Sequence, residues 1–272
     1  MPKSESGQLQ LEDLAILLPK PPTALVDLPS KGNFYDPAKL HEGKIEIAPM
    51  SAREEKLVAG MRGSNIEEVI DSLLTRCIKS PITPDELLVT DRFYLLLALR
   101  ANSYGEIYNI ELTCPYCEIR GKYEVKLPSD LTVQYADPND HEPFKVKLPS
   151  GLVIGFRLLR GKDLKDIKRN SEITTSKGYA GEGEPSYLYR LAKQIVSVNG
   201  KSLDMLVAQE LVSRLPAKDS AVLKQAYDKK TPGAITTIKK PCVSCTKEIQ
   251  TELPMTAEFF RPEYGGEEIT NG

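Results

Sequence analysis

The sequence predicts an α+β protein: helical bundle segments packed with short antiparallel strands around a split four-cysteine zinc ribbon. Three observations carry that expectation. Apolar residues recur with helical spacing in some blocks and alternate with strand spacing in others. Four of the five cysteines fall in two Cys-x-x-Cys pairs, each set between strand-like segments. Finally, 20 Pro and 18 Gly with no Trp in 272 residues favour many turns and short elements. A hydrophobic fraction of 40% and a charged fraction of 27% are ordinary for a folded soluble chain, and the length supports a sizeable core.

The elements follow in order. Residues 1–8 are polar and read as disordered, with a short amphipathic piece over Leu9–Leu18. The stretch "LPKPPTALVDLPSKGNFYDP" (18–37) must run extended or turning, because proline disfavours helix at its own position and at the residue before it. "KIEIAPM" (44–50) alternates and reads as a strand. Ser51 with Glu54 forms a capping-box pattern that opens a helix to Met61, and Ser64 with Glu67 repeats it. Ile66, Val69, Ile70, Leu73, Leu74, Cys77 and Ile78 then share one helical face, which makes Cys77 a small core residue. A third helix starts near Thr90, carries Phe93, Leu96, Leu97 and Arg100, and is expected to end before "NSYG".

From Tyr108 the pattern changes. "YNIELT" and "KYEVKL" flank the first cysteine pair, and 144–159 reads as a hairpin around Pro149-Ser150-Gly151. "GKDLKDIKRN" starts a helix, 177–186 is glycine-rich and reads as a mobile loop, and helices are expected over 186–198, 203–215 and 218–230. "AITTIKK" leads into the second pair, "KEIQTELPM" leaves it, and the chain from Arg261 reads as a loose tail.

The two pairs answer each other. "IELTCPYCEIRGKYEVKLP" (110–128) and "TTIKKPCVSCTKEIQTELP" (236–254) share one layout. A tight Cys-x-x-Cys turn presents two thiolates to one metal, and two such knuckles complete a tetrahedral zinc site, here Cys114, Cys117, Cys242 and Cys245. The 124 residues between Cys117 and Cys242 exceed the usual ribbon spacing, but closing a longer loop adds entropy cost only slowly. Other readings stay open: a disulfide within each pair, which a reducing cytoplasm opposes; a redox site, which would place the pair at a helix N-terminus; and two separate half-sites or residual cysteines.

No catalytic set emerges. His41 and His141 sit in polar turns with no metal or relay spacing, no phosphate-binding loop or dinucleotide motif occurs, and "DPND" (137–140) lacks the glycine and closing glutamate of a calcium loop. Tyr179, Tyr187, Tyr189 and Tyr227 fit interface anchoring and core packing equally well. A net charge of −2 and a pI near 5.9 give no basic field for nucleic acid or an anionic membrane. No apolar run approaches a membrane span, and Met1–Gly7 lacks the apolar core of a signal peptide.

"LVDLPSKGNFYDP", "IEIAPMSAREEKLVAG", "VIDSLLTRCI" and "DRFYLLLALRANSYGEIYNIELTCPYC" together resemble the T4-type bacteriophage baseplate hub family, which covers the small hub subunit and the related hub assembly catalyst. The resemblance runs from about residue 25 to 160. It implies a protein without enzymatic activity that binds other baseplate and hub proteins of a contractile tail. Assembly would take place in the host cytoplasm, with the virion baseplate as a destination. Cys114 and Cys117 fall at the family's cysteine-bearing strand turn, whereas the zinc expectation for all four cysteines rests on spacing.

The reading divides the chain into an extended Pro-rich arm (1–43), a helical region (44–107), a split ribbon (108–128 with 236–260), an inserted hairpin and helical region (129–235) and a flexible tail (261–272). Two other classes compete with a binding role in a tail. A zinc-ribbon nucleic-acid or transcription adaptor would use the lysines of "IKRN" and "DKKTPG", and a thiol-redox enzyme would keep a reactive cysteine in each pair.

Overall fold

The computed structural model describes residues 21–176, 186–254 and 257–260, with Leu17 and Glu184 besides. The readings of residues 1–8, of nearly all of Leu9–Leu18, of most of the 177–186 loop and of the tail from Arg261 lie outside the described residues. Seven α-helices and five small antiparallel sheets occur among them, which is the α+β class.

The Pro-rich stretch runs as strand and turn. Strand β1 (Ala24–Asp27) pairs with β2 (Lys44–Ile47) antiparallel, Ala24 opposite Ile47. Between them the chain doubles back so tightly that Gly32 and Gly43 meet backbone to backbone, both at positive φ of 85° and 70°. A Cβ on Gly43 would stand 2.5 Å from the Lys31 carbonyl carbon, so only glycine fits. The approach lets Leu28 and Leu40 sink into the first core.

Helix α1 (Ala52–Ala59) starts with the anticipated capping box: Glu54 accepts from the Ser51 N–H at 2.9 Å, and the Ser51 hydroxyl accepts from Arg53 N–H. Helix α2 (Ile66–Cys77) differs from its expected start. A 3-10 turn, Gly63–Asn65, precedes it, and the Asn65 carboxamide turns away to accept from the Arg62 N–H at 2.6 Å. Its expected apolar face is buried at Val69, Leu73, Leu74 and Cys77 but half-buried at Ile70 and exposed at Ile66, and the Cys77 thiol is pushed up to about 11 by burial.

Helix α3 (Val89–Tyr104) is buried around most of its circumference, the mark of a central helix. It runs through Asn102, Ser103 and Tyr104, beyond the end expected before "NSYG". Ser103 explains the difference: its hydroxyl donates to Leu99 O at 2.7 Å and accepts from the Met50 N–H at 2.9 Å. The serine therefore serves the helix and a neighbouring strand end, where a lone serine would compete with the backbone. Gly105, at φ 88°, ends it.

Two polar anchors fasten α3. Buried Asp91 accepts from the Tyr35 hydroxyl at 2.6 Å and the Ser30 N–H at 3.3 Å, and Tyr35 in turn accepts from the Leu88 N–H at 2.8 Å. Arg92 pairs with Asp71 of α2 at 2.5 Å.

Two hairpin sheets follow from opposite ends of the chain. Strands β3 (Ile107–Thr113) and β4 (Arg120–Lys126) form one; β11 (Thr237–Pro241) and β12 (Glu248–Glu252) form the other. Strand β5 (Thr132–Gln134) pairs with β10 (Gly233–Ile235), bringing together the two ends of the intervening region. That region holds its own sheet, in the order β6 (Phe144–Lys147), β7 (Val153–Phe156), β8 (Ile195–Val198), β9 (Lys201–Ser202). The β6–β7 hairpin turns at Pro149-Ser150-Gly151 as expected. Helices α4 (Gly161–Ser176), α5 (Tyr187–Gln194), α6 (Met205–Arg214) and α7 (Ala217–Lys230) accompany the sheet. The helix expected over 186–198 stops at Gln194, because Ile195, Val196 and Val198 are β-branched and extend as β8 against β7.

The core divides accordingly. One apolar cluster joins β1 and β2, helices α1 to α3, both ribbon hairpins and the buried Phe259 and Phe260; the other gathers Phe144, Ile154, Phe156, Leu191, Val212 and Leu223 around the four-stranded sheet. No helix among the described residues is long and apolar enough to cross a membrane.

Candidate metal centre

The two hairpins are the same structure used twice. Their registers coincide when every number is shifted by 128: Asn109 opposite Glu124 becomes Thr237 opposite Glu252. The turns obey the same shift. In the first, Cys114 N–H donates to Ile119 O and Glu118 N–H to Cys114 O; in the second, Cys242 N–H donates to Lys247 O and Thr246 N–H to Cys242 O. Glu118 and Thr246, one residue past each pair, both adopt positive φ, 60° and 61°. This left-handed residue swings each turn over, so that both sulfurs of a pair face the same side.

Each knuckle also aims backbone N–H groups at its sulfurs. Tyr116 N–H points to Cys114 Sγ and Ser244 N–H to Cys242 Sγ, both at 3.4 Å. The two knuckles then meet: Cys114 Sγ lies 3.7 Å from Cys245 Sγ, and Cys117 Sγ 3.6 Å from Cys242 Sγ. All four sulfurs are within 4.8 Å of one another, with Cys114 and Cys242 buried and Cys117 and Cys245 half-buried.

The donor set fits a thiolate-bound metal ion. A tetrahedron of sulfurs about 2.3 Å from its centre has edges of about 3.8 Å, and the two cross-pair contacts come close to that edge. Electrostatics point the same way. The backbone N–H groups of Cys245 and Ser244 pull the Cys242 thiol down to about 6. At Cys117 the Ile119 N–H also favours the thiolate, but lost water and the crowding sulfurs of Cys245, Cys242 and Cys114 push it up to about 11. One thiolate makes its neighbour resist ionisation, so four can coexist only beside a cation.

The structure brings together all four cysteines that the spacing singled out, and keeps Cys77 apart in the core. His41 is exposed, its ring 4.0 Å from Glu42, and His141 is exposed. Tyr227 is a core residue: it packs on Phe156, and its hydroxyl accepts from the Leu159 N–H. Tyr187 stays exposed beside Lys224. Asp137 and Asp140 serve a hydrogen-bonded turn closed by Lys230, in agreement with the turn reading of "DPND".

Two contributors escaped the sequence reading. Tyr123 on β4 presents its hydroxyl to the Val243 N–H at 3.3 Å and so couples the first hairpin to the second knuckle. Gly121, also on β4, lets that knuckle approach: a Cβ there would lie 2.9 Å from Val243 Cγ2. Tyr123 follows the inward alternation of its strand, so its burial was readable; its partner, 120 residues away, was not.

Fold and site together define a mixed α+β protein built on a split four-cysteine ribbon, a class in which sulfur clusters fasten chain segments. The chain belongs to the family of T4 bacteriophage base plate proteins, whose family model matches residues 22–261. That membership gives it a structural role in a phage baseplate and makes other tail proteins its partners. The match extends past the resemblance read over residues 25–160 and takes in both cysteine pairs. No curated protein and no solved structure matches the chain.

Proposed function

We propose that the chain is a non-enzymatic component or assembly factor of the baseplate hub, and that it acts by stoichiometric protein–protein binding. In this reading Cys114, Cys117, Cys242 and Cys245 hold one structural zinc ion, which ties 108–128 to 236–260 and closes the inserted 129–235 region onto the ribbon. The convergence of the four sulfurs carries the reading. Zinc bound by four thiolates has no open coordination position, so it supplies rigidity and no site for substrate. The chain's own residues do the rest: backbone N–H groups stabilise the thiolates, and Tyr123 holds the second knuckle against the first hairpin. The acidic pI favours protein partners over nucleic acid or an anionic membrane, and no small-molecule substrate is assigned.

Deletion from a phage genome tests the function. We expect heads and tail fibres without complete baseplates, together with capture of hub proteins by the tagged chain from infected cells. Normal tails after deletion would overturn the reading.

A further inference from the structure

Strand β1 pairs with β2 on one edge only, and the ladder fixes which of its backbone groups face the other edge. Glu46, opposite Leu25, turns its backbone to the far side of β2: its N–H donates to Ser80 Oγ at 2.9 Å, and its C=O accepts from the Lys79 N–H at 2.8 Å. One step along, Leu28 N–H donates to Gly43 O at 2.8 Å. Bonded and non-bonded pairs alternate in an antiparallel ladder, so Ala24 and Val26 bond to β2 while Leu25 and Asp27 direct N–H and C=O away from it. Among the described residues nothing receives those outward groups.

A groove of about 510 Å³ includes all of β1 in its lining. Tyr94 and Ala98 of α3, with Leu127, make part of that lining apolar. Its polar groups are left unmatched. The Asn102 side-chain nitrogen is buried and donates to nothing. Asp27 and Glu106 make no ion pair among the described residues, and Lys31, the single cation among the lining residues, lies over the Tyr135 ring at 4.5 Å. Open main-chain groups, an orphan amide donor and an excess of carboxylate thus share one groove.

We propose that this groove takes an extended, basic segment of a partner tail protein, which adds to β1 as a strand. The proposal rests on the binding role given above and supplies its surface. Leu25 and Asp27 provide the main-chain hydrogen bonds, Asn102 donates to a carbonyl of the incoming strand, and Tyr94, Ala98 and Leu127 receive its apolar side chains. Asp27 and Glu106 select a Lys or Arg on it. A segment about 13 Å long matches the four residues of β1. A second copy of this chain suits the edge less well, because "ALVD" would bring another carboxylate and no cation.

Amide-resolved hydrogen exchange of the full chain, with titration of a capped hexapeptide alternating Lys and Val, tests this. In the free chain the Leu25 and Asp27 amides should exchange about tenfold faster than those of Val26 and Leu28, and saturating peptide should remove the difference. Leu25→Pro deletes one outward donor, spares the β1–β2 ladder and alters a side chain that is already exposed, so the fold should persist while affinity falls about fivefold. Asp27→Asn/Glu106→Gln should weaken the peptide about fivefold, an effect that salt abolishes. The same peptide with Glu for Lys, or N-methylated at alternate residues, should bind about tenfold more weakly. Protection of Leu25 and Asp27 in the free chain would overturn the proposal: at every protein concentration it would mean that the chain covers its own edge, and only at high concentration that a second copy does. Equal affinity for the N-methylated peptide, or for Leu25→Pro, would overturn it as well. Hub proteins captured equally by the unaltered chain and by Leu25→Pro would place the partner elsewhere and leave the binding role standing, whereas no capture by the unaltered chain removes the role itself.

Discussion

Cys114 Sγ and Cys245 Sγ lie 3.7 Å apart although 131 positions separate them along the chain. Two hairpins in identical register, made at opposite ends of an intervening region, meet through that contact and its twin between Cys117 and Cys242. The region between them has its own apolar core and its own sheet, and β5 pairs with β10 close to where it departs and returns. A crosslink at the ribbon is therefore a crosslink of the whole molecule.

Replacement of any one of Cys114, Cys117, Cys242 or Cys245 by Ser should cost far more stability than any change at Cys77. A closed thiolate site contributes on the order of 10 kcal/mol of apparent binding energy at neutral pH, whereas Cys77→Ala removes only packing, roughly 1–2 kcal/mol. Thermal melts of all five variants check this. Equal losses at the five positions would contradict a shared site.

Gly43→Ala should be among the most damaging single changes outside the ribbon. Its backbone sits at φ 70°, and the added carbon would press on Lys31 and Gly32 backbone atoms at 2.5–2.7 Å, which side-chain movement cannot relieve. We expect a loss of about 3 kcal/mol from strain and overpacking together, read from urea midpoints. Gly151→Ala, also at positive φ but with open space around it, should cost less.

Asp91 should give stability a characteristic pH dependence. Burial, opposed by the Ser30 and Tyr35 hydrogen bonds, raises its carboxyl from 3.8 to about 6. The folded state thus binds the proton more tightly than the unfolded state, so the contribution is full below about pH 4 and is lost as pH rises through about 6. The difference across that window is on the order of 3 kcal/mol. Asp91→Asn cannot titrate, so the stability gap between the two proteins should change between pH 4 and 6 and stay level from 7 to 8. A constant gap would mean that the carboxylate is not desolvated.

Tyr123→Phe should weaken the joint between the hairpins without dismantling it. The Val243 N–H loses its acceptor, a cost of about 1 kcal/mol. Hydrogen exchange at the Val243 and Ser244 amides should quicken while the β6–β7 sheet keeps its protection. Unchanged exchange at both amides would show that the phenol does not couple the hairpins.

The sequence was most legible where one local rule decides the outcome. The Ser51–Glu54 box, the apolar face from Val69 to Cys77 and the Pro149–Gly151 turn each depend on neighbours within a few residues, and each folds as read. The four cysteines were legible for a different reason: two copies of one pattern imply a shared partner whatever the loop between them. Misreadings arose where distant contacts outvoted local preference. Ser103 stays helical because the Met50 N–H and Leu99 O use its hydroxyl. Ile195 leaves the helical pattern because β7 offers a strand to pair with. The Asp91–Tyr35 bond could not be read at all, since nothing in "SKGNFY" or "TDRFY" names the other as its partner.

Native mass spectrometry of the purified chain, with thiol alkylation before and after a chelator, addresses the fastener most directly. We expect one zinc ion per chain, a single thiol at most reactive beforehand and only under denaturation, and four more exposed together once the metal is stripped, with loss of the cooperative melt. A chain that carries no metal, and whose four ribbon thiols react at once while it still melts cooperatively at the same temperature, would contradict the account.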